Sequence, residues 1–150
     1  METLPIFYST QTGHNLELAL WFVNQFRNAG VDTMTVNMAT ANPILLTKVP
    51  TALIITGTYG MGELAFEALP FVEKLRQLSL THLQCGVTGI GDRYYHNDFC
   101  KAVDVVAKAV TTAGASLLTP PLKIDLEFTA DDWQRLNQLA IQLIQIVQAV

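Results

Sequence analysis

The feature that most constrains this chain is a regular alternation between short apolar runs and longer stretches in which apolar residues recur every three or four positions. A run such as Thr51 to Thr56 (T-A-L-I-I-T) suits a strand covered on both faces. A stretch such as Leu16, Ala19, Leu20, Val23 and Phe26 suits a helix with one buried stripe. Strands and helices in strict turn predict a parallel sheet with helices packed on both sides and right-handed crossovers. Half of the 150 residues are apolar and only 15% are charged, as heavily buried strands require.

Followed along the chain, the pattern reads β-α-β-(short connection)-β-α-β-α-β-α. Strands are expected at Leu4 to Tyr8, Val31 to Val36, Thr51 to Thr56, Gln84 to Ile90 and Ser116 to Phe128, the last broken by Pro120-Pro121. Helical spacing runs from Leu16 to a stop at Ala29-Gly30, from Phe66 to Leu78, from Asp98 to Ala113 with Gly114 as terminator, and from Leu136 to Val150. Pro70 is placed in a first helical turn, where its missing N–H costs nothing. Thr129 and Asp132 have the spacing of a capping box. There is no repeat, linker or low-complexity segment, so residues 1–150 are read as one domain.

Several function classes lose support at this stage. The net charge is −4 and the nine Lys and Arg residues are scattered, whereas a nucleic-acid surface needs a basic patch. No apolar run approaches the ~18 residues that span a bilayer. Cys85 and Cys100 form no CxxC pair and lack a histidine at ligand spacing, which predicts buried free thiols and no metal site. The start, Met1-Glu2-Thr3-Leu4-Pro5, is unlike a signal peptide, so a cytoplasmic location is expected. Trp21 and Trp133 read as packing residues, His82 and His96 as surface residues, and Lys101 and Asp104 as a solvated helix face.

Three strands end in polar or glycine-rich loops: Ser9 to Asn15, Gly57 to Glu63 and Gly89 to Asn97. In a doubly wound sheet, ligands bind beyond the carboxyl ends of the strands, so all three loops belong on one rim. The first offers hydroxyls, an amide, Gly13 and a helix N-terminus, a set that suits a phosphate. It lacks both the Gly-Lys-Ser/Thr of a nucleotide-triphosphate loop and the three glycines of a dinucleotide fold, so a monophosphate fits better. An ordinary polar turn capped by Thr12 or Asn15 accounts for this loop equally well when it is taken alone.

Together the loops resemble those of the flavodoxin family. Thr10-Gln11-Thr12-Gly13-His14-Asn15 is similar to its phosphate signature, with Asn15 in place of a final hydroxyl residue. Thr56-Gly57-Thr58-Tyr59-Gly60-Met61-Gly62-Glu63-Leu64 resembles the second loop of short-chain flavodoxins and of the FMN domains of diflavin reductases. Gly89-Ile90-Gly91-Asp92-Arg93-Tyr94-Tyr95, followed by Phe99-Cys100, resembles the third. Leu122-Lys123-Ile124-Asp125 is similar to the last strand of the single-domain MioC-type members. The chain departs from the family at Met61, where many relatives carry an acid, at Ala65-Phe66-Glu67, and by one extra residue between Tyr95 and Phe99.

The resemblance implies an α/β fold: a three-layer, doubly wound, five-stranded parallel sheet with strand order 2-1-3-4-5. It implies FMN as cofactor and one-electron transfer as function, with no catalytic side chain and no metal. Phosphate ligands would be Thr10, Gln11, Thr12, Gly13, His14 and Asn15. Tyr59 would cover one face of the ring and Tyr95 the other, with Tyr94 as the alternative. Gly57, Thr58, Gly60, Met61, Gly62, Gly91 and Asp92 would line the ring edge and ribityl chain, with Phe99 and Cys100 beyond. The implied partners are a ferredoxin/flavodoxin–NADP reductase-type donor and a redox enzyme acceptor, met by a monomer. With Met61 in place of an acid, less charge repels the anionic reduced flavin, so the second one-electron potential should be less negative than in relatives with an acid there. Three rival readings exist. A receiver domain needs an acid where the third strand ends Ile55-Thr56-Gly57. A quinone-reductase-type flavoenzyme needs room for a second substrate. The third is an FMN-free scaffold.

Overall fold

A computed structural model describes residues 3–9, 13–59, 63–64, 68–92 and 99–149. In chain order the elements are β1 (Leu4–Ser9), α1 (His14–Asn28), β2 (Thr33–Asn37), a 3-10 turn (Pro43–Lys48), β3 (Thr51–Thr56), β4 (Thr58–Tyr59), β5 (Glu63–Leu64), α2 (Leu69–Leu75), β6 (Gln84–Gly91), α3 (Lys101–Thr112), β7 (Ser116–Leu117), β8 (Leu122–Asp125) and α4 (Ala130–Ala149). The main sheet is parallel, in the order β2-β1-β3-β6-β7, and β8 also pairs with β6. β7 and β8 are two pieces of one fifth strand, parted at Thr119-Pro120-Pro121, where two consecutive residues lack a backbone N–H. Counted that way the sheet is the expected five-stranded 2-1-3-4-5.

Period-two alternation divides the strand side chains between two cores. Phe7, Ala52, Ile54, Cys85 and Val87 face α2 and α3. Ile6, Leu53, Ile55, Ile90 and Ile124 face α1 and α4. The central strand β3 is buried at every position, which is why its sequence shows no polar alternation. Gly86 lets α4 lie close: a Cβ there would stand 2.8 Å from Leu139 Cδ1.

The helix ends follow the sequence signals. Gly30 and Gly114 take φ values of 77° and 107° just beyond α1 and α3. Pro70 sits in the first turn of α2. Before α4, Thr129 N–H donates to Asp132 Oδ2 at 3.0 Å and Asp132 N–H donates to Thr129 Oγ1 at 3.2 Å, a reciprocal capping box. Two elements were not expected: the 3-10 turn between β2 and β3, started by Asn42 accepting from Ile44 N–H, and the small antiparallel pair β4–β5 inside the second loop. Among the described residues no helix is long and apolar enough to cross a membrane, and no group of three His, Cys, Asp or Glu could hold a metal.

Candidate functional site

β1, β3 and β6 run parallel with matched registers, so their carboxyl ends, and the loops that leave them, share one rim. Buried hydrogen bonds tie these strand ends together. Ser9 and Thr56 hydroxyls meet at 3.1 Å, joining the starts of the first and second loops. Asn15, 2% exposed, accepts from Ile90 N–H through its side-chain oxygen at 2.8 Å, joining the first loop to the third. Thr58 Oγ1 accepts from Ala102 N–H at 3.0 Å and fastens the second loop to the first turn of α3.

Close backbone approach does the rest. A Cβ on Gly89 would fall 1.8 Å from the Thr56 carbonyl oxygen, so only glycine lets β3 and β6 meet here. A Cβ on Gly91 would stand 2.9 Å from Cys100 Sγ. Cys100 is the one non-glycine residue described with a left-handed backbone, at φ 52°. Its buried thiol lies 3.6 Å from the carbonyl oxygens of Gly89 and Ile124. Burial pushes both thiols, Cys85 and Cys100, up to about 12, which suits inert core groups.

The first turn of α1 starts on this rim. Gly13 adopts φ 93° at the N-cap and, being glycine, brings no capping side chain of its own. Among the described residues, nothing lies within 4 Å of where a Cβ at Gly13 would stand. The positive end of the α1 dipole therefore opens onto the rim. These features fit a phosphate monoester such as that of FMN.

The flavodoxin family profile matches residues 6–135 of this chain. The chain belongs to the flavodoxin family. It is 30% identical to probable flavodoxin 1 of Bacillus subtilis over 85% of this chain and 80% of that one. It is 36% identical to the MioC homolog of Pasteurella multocida over 58% of this chain and 65% of that one. Among solved structures, a short-chain flavodoxin associated with a non-canonical PDU bacterial microcompartment superposes with a TM-score of 0.89 at 31% identity, over 97% of this chain and 99% of that one. Membership of the flavodoxins bears out the fold expected from the alternation, FMN as cofactor, and electron transfer as function.

Of the residues expected to form the flavodoxin site, the rim gathers Gly13, His14, Asn15, Gly57, Thr58, Gly91 and Asp92 at the ends of β1, β3 and β6. Phe99 is half-buried and Cys100 fully buried at the start of α3. Tyr59 pairs its backbone with Glu63 in β4–β5. Thr10, Gln11, Thr12, Gly60, Met61, Gly62, Tyr94 and Tyr95 lie outside the described residues, as does His96. Two structural partnerships escaped the sequence reading, Asn15 with Ile90 and Ser9 with Thr56. Asp104 pairs with Lys123 at 2.6 Å across to β8, rather than standing only on a solvated face.

Proposed function

We propose that this flavodoxin seats the FMN phosphate on the first turn of α1 and the flavin ring between the second and third loops. In that seat it would carry electrons singly from a ferredoxin/flavodoxin–NADP reductase-type donor to a redox enzyme acceptor. The observation that carries the reading is that α1 starts at a left-handed glycine, Gly13, on the rim shared by all three loops. FMN supplies a centre that accepts and releases one electron at a time.

The chain's own residues do the rest. Gly13, His14 and the hydroxyls of Thr10 and Thr12, with Gln11, hold the phosphate. The Asn15 oxygen is committed to Ile90, so its part in phosphate binding falls to the amide nitrogen. Tyr59 and Tyr95 cover the ring, each stacked contact adding about 0.5–1.5 kcal/mol beyond burial. The backbone from Gly57 to Gly62, with Gly91 and Asp92, lines the ring edge. Phe99 and Cys100 follow the third loop, at the start of α3. In this reading the chain's residues bind and tune FMN and the protein acts as a carrier.

The test compares FMN with riboflavin, which lacks the phosphate, on wild type and Gly13→Ala. An L-residue at φ 93° is strained and its methyl group intrudes on the anion seat. FMN affinity should fall about tenfold or more, and riboflavin affinity far less. An equal loss for both ligands would remove the phosphate from this turn. NADPH oxidation by the FMN-loaded protein alone would favour the reductase reading instead.

A further inference from the structure

A pocket of about 320 Å³ opens between the first turns of α1, the end of β6 and the segment that joins β8 to α4. Its volume is at the lower end for small-molecule sites. Ile90, Leu18 and Leu126 contribute aliphatic lining, and Trp21, Phe128 and Trp133 supply three aromatic rings. Trp133 touches both of the other rings. Its centroid lies 4.9 Å from that of Phe128, the two rings stacked at 19°, and 5.3 Å from that of Trp21 at 52°. A buried cluster of this kind is ordinary, but Trp133 keeps 39% of its surface and the cluster faces an open cavity.

Among the described residues the charge on the lining has one sign apart from an imidazole. Glu17 lies one helical turn before Trp21 on the same face of α1, and among the described residues it makes no ion pair. No Lys or Arg lines the pocket among the described residues, and His14 is the other ionisable group there. The nearest guanidinium along α4, Arg135, is held by Asp131 at 3.4 Å and Asp132 at 2.5 Å. Aromatic faces beside an unpaired carboxylate, in a concave apolar site, are the arrangement that attracts a weakly hydrated positive charge.

We propose that this pocket binds a small organic cation of the alkylammonium or quaternary ammonium class, with its apolar groups against Trp21, Phe128 and Trp133 and its charge beside Glu17. Of the described lining residues only His14 and Ile90 belong to the three rim loops, so most of the pocket stands clear of them, and its occupant would be a second ligand distinct from FMN.

The chain holds two tryptophans and both line the pocket, so their indole N–H resonances report on it directly. The experiment titrates FMN-loaded protein with choline chloride and separately with 3,3-dimethylbutan-1-ol, its uncharged isostere, against sodium chloride at equal ionic strength. Choline should shift both indole signals saturably, and the alcohol should bind about tenfold or more weakly. Glu17→Gln should weaken choline about fivefold or more and leave the visible spectrum of bound FMN unchanged. Equal affinity for choline and the alcohol would overturn the proposal, as would unchanged choline affinity in Glu17→Gln. So would the absence of a saturable shift up to the solubility of the salt. Trp133→Leu, at a partly exposed position, is the second variant, and it should abolish the preference for the cation.

Discussion

The side-chain oxygen of Asn15 accepts a hydrogen bond from Ile90 N–H at 2.8 Å, across 75 residues of sequence. One end of the bond is in the first turn of α1, where the phosphate is proposed to sit. The other is near the end of β6, where the third loop begins. Asn15→Ala leaves a buried N–H unpaired, which costs about 1–3 kcal/mol. For a chain of this size that is a fall of roughly 2–12 °C in melting temperature. FMN affinity should fall with it. Asn15→Asp keeps the acceptor, so calorimetry should show most of the stability retained while fluorescence titration shows weaker FMN binding, from charge repulsion at the phosphate.

Gly89 and Gly86 lie three residues apart on β6 and should respond differently to alanine. At Gly89 the added carbon meets a backbone oxygen at 1.8 Å, and no side chain can move to relieve it. Gly89→Ala should cost about 3 kcal/mol or more, or prevent folding. At Gly86 the contacts at 2.8 and 3.1 Å are the methyl ends of Leu139, which can rotate. Gly86→Ala should cost about 1–2 kcal/mol. Urea denaturation of the two variants gives the order.

Asp132 is 1% exposed and carries the reciprocal cap of α4. Burial alone would raise its pKa, but the Thr129 N–H, the Arg135 guanidinium and the Thr129 hydroxyl outweigh that and hold the carboxyl below its ordinary range. A depressed carboxylate contributes its stability in full above the unfolded value of about 3.9, and loses it as pH falls through the folded one. Asp132→Asn should therefore be less stable than wild type at pH 7, by about 1 kcal/mol from the weakened cap and lost ion pair. The gap should close below about pH 3.9. A gap that persists unchanged into acid would mean that the carboxylate charge is not what matters.

With Met61 beside the flavin, as the resemblance implies, Met61→Asp should make the second one-electron potential of bound FMN more negative, as charge repulsion disfavours the anionic reduced flavin. Potentiometry on the two proteins measures this, and a potential that does not fall would separate residue 61 from the flavin.

The sequence made the fold legible because its signals are local. The β3 segment T-A-L-I-I-T is buried throughout, Pro70 starts α2, and Thr129 and Asp132 cap α4, each decided within a few residues. Helix α2 ends at Leu75, short of the expected Leu78, since the apolar period continues through the turn that leads to Leu80. The contacts that join the loops were not legible. Asn15 reads as a phosphate-loop or capping residue in its own segment, and nothing nearby says that its oxygen serves Ile90. Trp21 and Trp133 each read as packing residues, but their contact with each other, at 5.3 Å, and the cavity beside them depend on how α1 and α4 lie against β6.

The central claim is that this rim carries FMN and exchanges electrons singly. The most direct measurement is the visible spectrum of protein purified without added flavin, followed by anaerobic titration with dithionite. The account predicts bands near ~375 and ~450 nm, the flavin signature, and reduction in two resolved one-electron stages. A colourless protein that also takes up no added FMN would contradict it, as would reduction only by an electron pair with no one-electron stage.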